Sequence, residues 1–239
     1  MDARSKLLRN LKDIWTGMAP KRVYLRYFFA VLAIYAAGIV IGAALYPGGF
    51  SILTVYVSYL GGDPENPIGR YPYNATVLIA GILLIPHFIY LYRRLTPACK
   101  IISFLACLCG IVGAAGFASL GIFHQGFIYI HDSHRWATDM AFGGLGGSAF
   151  FMLMAFIRKS WMTRSWPKWW HTFIVYAQIL GIVGVALLFS ETDLFTGLPI
   201  DPAFFQDKFW EWFYTFAVMG WLIEIGLIVP KEADPKRTI

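Results

Sequence analysis

Long apolar runs alternate with short polar connections along most of the chain. Six runs each hold about 20 mostly apolar residues, the length that an α-helix needs to cross the bilayer core. Because backbone polar groups inside a bilayer must be satisfied within the segment, each run predicts a membrane-spanning helix. The predicted spans are Tyr27 to Tyr46, Tyr73 to Tyr92, Ile101 to Phe123, Trp136 to Ile157, Thr172 to Ser190 and Phe209 to Val229.

A different pattern precedes the first span, where apolar and basic residues fall on separate faces of a helix that ends at Pro20. This pattern predicts an amphipathic helix lying on the membrane surface. A plain interfacial anchor is the favoured interpretation, and sensing of anionic lipids is the alternative. The apolar face comprises Leu7, Leu8, Leu11, Ile14, Trp15 and Met18, and the basic residues are Arg4, Arg9 and Lys12.

The predicted fold class is therefore all-α: a polytopic membrane protein built as one six-helix bundle. Its predicted organisation is an interfacial amphipathic segment at 1–22, a transmembrane bundle at 23–230 and a cytosolic tail at 231–239. All of the 20 basic residues except Arg70, Arg135 and Lys208 fall on the same side of the predicted spans. Because basic loops stay in the cytosol, both termini are expected there.

Composition agrees with this assignment. Hydrophobic residues make up 58% of the chain and charged residues 14%, whereas about a quarter of the residues of a soluble domain are charged. The net charge of +6 arises from short basic clusters between apolar runs, so no nucleic-acid partner is expected. Cys99, Cys107 and Cys109 lie in or beside one apolar run, which favours packing roles over disulfides or zinc ligation.

Acidic residues gather on the side opposite to the basic clusters. Insertion rules do not explain this distribution, because acids contribute little to orientation. It is therefore the first indication of a functional site. These acids are Asp63, Glu65, Asp132, Asp139, Glu191, Asp193, Asp201, Asp207 and Glu211.

The most polar stretch at membrane depth surrounds the start of the fourth predicted span. If that helix begins near Ile130, Asp132, Arg135 and Asp139 share one face, and the neighbouring histidines lie on an adjoining face. Histidine with carboxylate is typical of acid–base catalysis and of metal binding. A structural polar network is favoured, because no zinc-binding spacing such as HExxH occurs. The catalytic candidates are His131, His134, Asp132, Asp139 and Glu211, and the metal-ligand candidates are His124, His131, Asp132 and Glu211.

No cofactor is predicted, although a divalent metal ion is compatible with these residues. Glu224 lies deeper in the last span. A carboxylate at membrane depth is a candidate functional residue, and a structural hydrogen bond to a neighbouring helix is the alternative. His87 follows Pro86, where it is expected to satisfy a carbonyl freed by the proline.

Three short stretches resemble the Frag/DRAM/Sfk family. The outer segment from Tyr56 to Pro67 resembles the loop that precedes that family's second span. The pair His131-Asp132 resembles its motif before the fourth span, and the pair Glu211-Trp212 resembles its motif at the start of the last span. Related prokaryotic membrane proteins of unknown function are equally similar.

The resemblance implies a six-helix bundle in lipid handling or endomembrane functions, such as remodelling of lipid anchors, phospholipid asymmetry or autophagy. The expected function is a lipid-associated, non-catalytic role, with membrane lipids as partners and Ser58, Asp63, Arg135 and Trp212 as lipid-site candidates. Two alternatives are an intramembrane lipid hydrolase or acyltransferase, with Ser51 or Ser58 as nucleophile, and an accessory subunit of a membrane complex. The expected location is the plasma membrane of a prokaryote or an endomembrane.

Overall fold

A computed structural model describes residues 3–97, 99–127, 132–163 and 207–228. These residues form helices and connecting loops, without a strand among them. The helices are α1 (Ala3–Trp15), α2 (Lys21–Ala44), a short 3₁₀ helix (Ser58–Gly61), α3 (Arg70–Leu95), α4 (Lys100–Leu120), α5 (Ser133–Thr163) and α6 (Asp207–Ile228).

Five of these helices, α2 to α6, are long and apolar enough to cross a membrane. The protein is therefore an integral, multi-pass membrane protein. Helices α2 and α3 extend beyond the predicted spans into the basic pairs Lys21-Arg22 and Arg93-Arg94, because helical hydrogen bonding continues past the hydrocarbon boundary. The predicted span Thr172 to Ser190 and the predicted tail 231–239 lie outside the described residues.

Helices α2, α3, α4 and α5 pack as successive antiparallel neighbours. Helices α4 and α5 approach each other closely, since Gly113 faces the backbone at Leu145 and Gly116 faces the backbone at Ala141. A side chain at either glycine would collide with that backbone. Small residues at helix contacts are the usual means by which membrane helices approach closely, in agreement with the glycine runs in the sequence.

Helix α6 packs between α2 and α5. Tyr214 donates a hydrogen bond to the Phe142 carbonyl of α5 at 3.2 Å, and Gly226 packs against Phe28 of α2. These contacts place α6 parallel to α5 and antiparallel to α2. Two parallel helices need one further span between them, and the sequence predicts such a span between α5 and α6.

The two ends of the bundle differ in charge, and we name them accordingly. At the acidic end α2 and α4 finish while α3, α5 and α6 begin, and at the basic end the reverse holds. Described acids at the acidic end are Asp63, Glu65, Asp132, Asp139, Asp207 and Glu211. Described cations at the basic end include Lys6, Arg9, Lys12, Lys21, Arg22, Arg26, Arg93, Arg94, Lys100 and Arg158.

Candidate functional site

The first residues of α6 attach the loop before the 3₁₀ helix to the bundle. The Val57 backbone N–H donates to Oε2 of Glu211 at 3.0 Å, and the indole N–H of Trp212 donates to the Val55 carbonyl at 2.7 Å. Trp212 is buried, and its ring packs edge-on against Phe50. The pair Glu211-Trp212 that the sequence analysis singled out therefore joins two segments more than 150 residues apart in the chain.

The rest of this loop is held by a buried asparagine. Asn66 donates hydrogen bonds from its side-chain amide to the carbonyls of Gly42 and Leu60, both at 3.0 Å. Its side-chain oxygen accepts the Gly69 N–H at 3.1 Å, just before α3 begins. The hydroxyl and backbone N–H of Ser58 consequently face the Glu211 carboxylate.

A cavity opens beside this carboxylate, among α2, α3, α4, α5 and α6. We call it the acidic-end cavity. The cavity volume is about 80 Å³. This volume has room for several water molecules or for part of an acyl chain. The polar side chains that line it are Tyr35, Ser58, Tyr73, Asn74, His124, His134, Thr138, Glu211 and Thr215.

The lining changes from polar to apolar with depth on three helices. On α3 it runs from Asn74 through Val77 and Ala80 to Leu84, and on α5 from His134 through Thr138 and Phe142 to Leu145. On α6 it runs from Glu211 through Thr215 and Val218 to Leu222. Spacings of three and four residues keep each series on one helix face. The cavity is therefore polar near the acidic end and apolar towards the middle of the bundle.

Both histidines of the cavity bond through Nδ1 to backbone carbonyls. His124 bonds to the Gln125 carbonyl at 2.9 Å, and His134 bonds to the Phe123 carbonyl at 2.8 Å. A carbonyl accepts hydrogen bonds and cannot donate one, so each Nδ1 carries the hydrogen. In the neutral imidazole, Nε2 is then the hydrogen-bond acceptor. Together with the Glu211 carboxylate, these groups make the polar part of the cavity rich in acceptors.

Five of the predicted site residues in the described part of the chain, Trp212 among them, lie outside this cavity. Asp63 is exposed and forms an ion pair with Arg70. Asp132 has a left-handed backbone (φ 56°) and precedes α5, because the helix begins at Ser133 and not near Ile130. Arg135 and Asp139 are exposed on α5.

Trp212 acts as a loop anchor beside the cavity and does not line it. His131 lies outside the described residues. Of the predicted candidates, the structure therefore brings together Ser58, His124, His134 and Glu211.

The positions of these residues add no support to the predicted metal site or to the predicted catalytic role, and both stay predictions. In the described part of the chain, no three His, Cys, Asp or Glu side chains are grouped as metal ligands would be. Neither His124 nor His134 is hydrogen-bonded to a serine among the described residues. Ser51 accepts the Leu53 N–H at 3.3 Å and lies outside the cavity, so Ser58 is the better placed of the two proposed nucleophiles.

The comparisons with known proteins identify a family. Residues 29–227 match the family described as protein of unknown function (DUF998). The chain belongs to this family. No curated protein and no solved structure matches the chain. The match supports the prediction that the chain belongs to a family of membrane proteins of unknown function. It does not confirm the resemblance to the Frag/DRAM/Sfk family.

The sequence analysis missed five polar residues of this DUF998 protein's cavity, which are Tyr35, Tyr73, Asn74, Thr138 and Thr215. Thr138 and Thr215 follow His134 and Glu211 by four residues, which puts each threonine on the same face as the candidate one turn before it. That spacing was a usable signal. Asn74 carried no such signal, because its position in the cavity depends on the packing of α3 against the 3₁₀ helix, where its amide donates to the Gly61 carbonyl at 3.0 Å.

The basic end holds a second polar cluster, which we call the basic-end cluster. It consists of Tyr24, His87, Tyr90 and Arg94. His87 is fully buried, and its Nδ1 is hydrogen-bonded to the Tyr24 hydroxyl at 2.6 Å instead of to a carbonyl freed by Pro86. The Tyr24 ring stacks on Tyr90 with ring centroids 3.5 Å apart, and the Arg94 guanidinium lies 3.7 Å from the centroid of the Tyr90 ring.

Arg94 is itself buried and donates hydrogen bonds to the carbonyls of Gly17 and Ala19. Glu224 is half-buried on α6 near this end and does not line the acidic-end cavity.

Proposed function

We propose that this DUF998 protein binds an amphiphile in the acidic-end cavity, in a non-catalytic, lipid-associated role. The head group would lie among Ser58, His134 and Glu211, and the chain would follow the apolar lining of α3, α5 and α6. The observation that carries this proposal is the change from polar to apolar lining along three helices. An amphiphile has the same change along its own length.

The depth of the cavity matches the length of a lipid acyl chain in one leaflet of the bilayer. From Asn74 to Leu84 the lining spans ten residues of α3, or about 15 Å at 1.5 Å per residue. The hydrocarbon core of a bilayer is about 30 Å thick, so the cavity reaches about its middle. In the predicted orientation this is the outer leaflet.

The charges and acceptors of the lining indicate the class of head group. The described lining includes a carboxylate and two imidazoles, and it includes neither lysine nor arginine. Recognition of phosphate relies on cations and backbone N–H groups, whereas this lining offers hydrogen-bond acceptors. We therefore infer a head group that donates hydrogen bonds, such as the hydroxyls of a monoacylglycerol, and that carries no net negative charge.

One observation also supports the alternative of a lipid hydrolase. The Ser58 hydroxyl faces the Glu211 carboxylate, and His134 lines the same cavity. In that role His134 would act as general base and Ser58 as nucleophile. Binding is preferred because the histidine and the serine are not hydrogen-bonded to one another.

The test uses the purified full chain in lipid nanodiscs and two photoactivatable probes with the same acyl chain. One probe is a monoacylglycerol with a diazirine in the chain, and the other is the matching lysophosphatidic acid. The monoacylglycerol is expected to label peptides of α3, α5 or α6 in competition with unlabelled monoacylglycerol. Lysophosphatidic acid is expected to label them weakly, because its phosphate meets a carboxylate.

Glu211→Gln is the informative variant, because glutamine still accepts the Val57 N–H but has an amide NH2 group, which is a donor, in place of the second carboxyl oxygen. It should lower the affinity for monoacylglycerol about tenfold, as expected when a ligand hydroxyl loses its hydrogen-bond acceptor. Ala80→Leu should block the apolar part of the cavity and abolish labelling. Glu65→Gln is the matched control, since Glu65 lies at the same end outside the cavity.

The proposal is overturned if the cavity peptides are not labelled, or if Glu211→Gln and Ala80→Leu label as wild type does. Preferential labelling by lysophosphatidic acid would overturn the assigned class of head group. Release of fatty acid from monoacylglycerol that Ser58→Ala abolishes would replace the binding role with the hydrolase.

A further inference from the structure

Helix α1 is attached to the bundle at its C-terminal end. Ile14 and Ala19 are buried, and Gly17 packs against the backbone of α3 at Ile89 and Tyr90. Gly17 has a left-handed backbone (φ 69°), so glycine suits both the conformation and the close contact. The junction between α1 and α2 is therefore packed against α3.

Two adjacent arginines of α3 hold the same junction. Arg93 donates from Nε to the carbonyl of Thr16, and Arg94 donates to the carbonyls of Gly17 at 3.4 Å and Ala19 at 3.3 Å. These carbonyls lie between two helices, where they lack helical partners, and the arginines satisfy them. Because they lie at the last residues of α3, the contacts place α1 at the boundary between the membrane and the aqueous phase.

The remainder of α1 leaves its apolar face uncovered. Its large apolar side chains and the methionine that follows are between 43% and 58% exposed, although Ile14 on the same helix is buried. A continuous exposed apolar face next to a membrane-spanning bundle is explained by contact with lipid. The exposed residues are Leu7, Leu8, Leu11, Trp15 and Met18.

The charges around this face are almost all positive. Lys6, Arg9 and Lys12 are exposed on α1, and Arg22 and Arg26 are exposed on the first turns of α2. Asp13 is the acidic residue of α1, and it is partly buried. Basic amphipathic helices of this type bind anionic lipid surfaces, because each cation near such a surface strengthens binding about fivefold.

We propose that α1, held by Arg93 and Arg94, is a binding surface for anionic lipid head groups on the leaflet at the basic end. The bundle already anchors the protein in the bilayer, so the function of α1 is to select the lipids that surround this end. This inference is independent of the acidic-end cavity.

The first measurement tests whether α1 lies in the lipid. The full chain, with its three cysteines replaced by alanine, carries a single spin label at Leu11→Cys on the apolar face or at Ser5→Cys on the polar face. In nanodiscs of an equal mixture of phosphatidylcholine and phosphatidylglycerol, the Leu11 label should be accessible to oxygen and protected from a water-soluble nickel chelate. The Ser5 label should show the opposite. Equal exposure of both labels to the nickel chelate would overturn the proposal.

The second measurement tests the selection of anionic lipid. Energy transfer from a dye at Leu11→Cys to acyl-labelled phosphatidylglycerol should exceed transfer to acyl-labelled phosphatidylcholine several-fold. The double variant Arg9→Gln with Lys12→Gln should bring the two efficiencies close together, whereas the matched double variant Lys100→Gln with Arg158→Gln should leave the difference in place. Equal transfer to the two lipids in the wild-type chain, or equal effects of the two double variants, would show that α1 is an anchor without lipid preference.

Discussion

The two ends of the bundle place similar polar side chains in opposite kinds of surroundings. At the basic end, His87 is enclosed by aromatic rings and hydrogen-bonded to Tyr24, and Arg94 lies against another ring while satisfying backbone carbonyls. At the acidic end, His134 and Glu211 are bonded to backbone groups on one side and border a cavity on the other.

This difference separates polar residues that stabilise the fold from polar residues that are available to a ligand. A buried polar group that is packed and hydrogen-bonded strengthens one arrangement of helices, and its loss leaves its partners unsatisfied. A polar group that borders a cavity can be changed at a smaller cost in stability. Substitutions at the two ends should therefore have different consequences, which thermal unfolding of the purified protein in detergent can measure.

The largest effect is expected for Arg94→Ala. Loss of the cation–π contact and of the charged donors to two carbonyls should lower the free energy of unfolding by about 3 kcal/mol. Arg93→Ala is the matched control, because Arg93 is exposed, and it should cost less than about 1 kcal/mol. Equal losses in the free energy of unfolding for the two variants would contradict the distinction between Arg94 in the basic-end cluster and its exposed neighbour Arg93.

The next effect compares a packed site with the cavity. Ala106→Leu enlarges a buried side chain near the basic end and should destabilise the protein by about 2 kcal/mol through overpacking. Ala80→Leu makes the same change beside the acidic-end cavity, where free space accommodates the extra atoms, and should cost clearly less. If Ala80→Leu is the more destabilising of the two, the cavity is not available space.

A smaller effect is expected where α6 anchors the outer loop. Trp212→Phe keeps an aromatic ring but removes the donor to the buried Val55 carbonyl, at a cost of about 1.5 kcal/mol. The same substitution at the exposed Trp136 should change stability by less than about 0.5 kcal/mol. A similar cost at both positions would show that the hydrogen bond to Val55 does not hold the loop.

The smallest effect belongs to the surface of the acidic end. Asp63→Asn removes the ion pair with Arg70, which should cost less than about 1 kcal/mol because the aspartate is 54% exposed. The loss should disappear in concentrated salt, where the wild-type pair is screened as well. A loss that persists in salt would mean that Asp63 contributes through packing and not through charge.

The five described spanning helices could be predicted from the sequence, and the orientation of their faces could not. Asp132, Arg135 and Asp139 were expected on one face and His134 on an adjoining one, which follows from helical spacing alone. Whether a face points inwards depends on the rotation of α5 about its axis. Ala141 and Leu145 pack against glycines of α4, and this contact turns His134 inwards while Arg135 and Asp139 remain exposed.

Segment length and hydropathy were enough to predict the five described membrane-spanning helices and the end of the bundle at which the cations lie. These properties depend on length and transfer to lipid, which each segment carries alone. The position of Ser58, His134 and Glu211 around one cavity follows only from the packing of the helices. These residues lie on separate elements far apart in the chain, so their distances depend on the order and rotation of the packed helices.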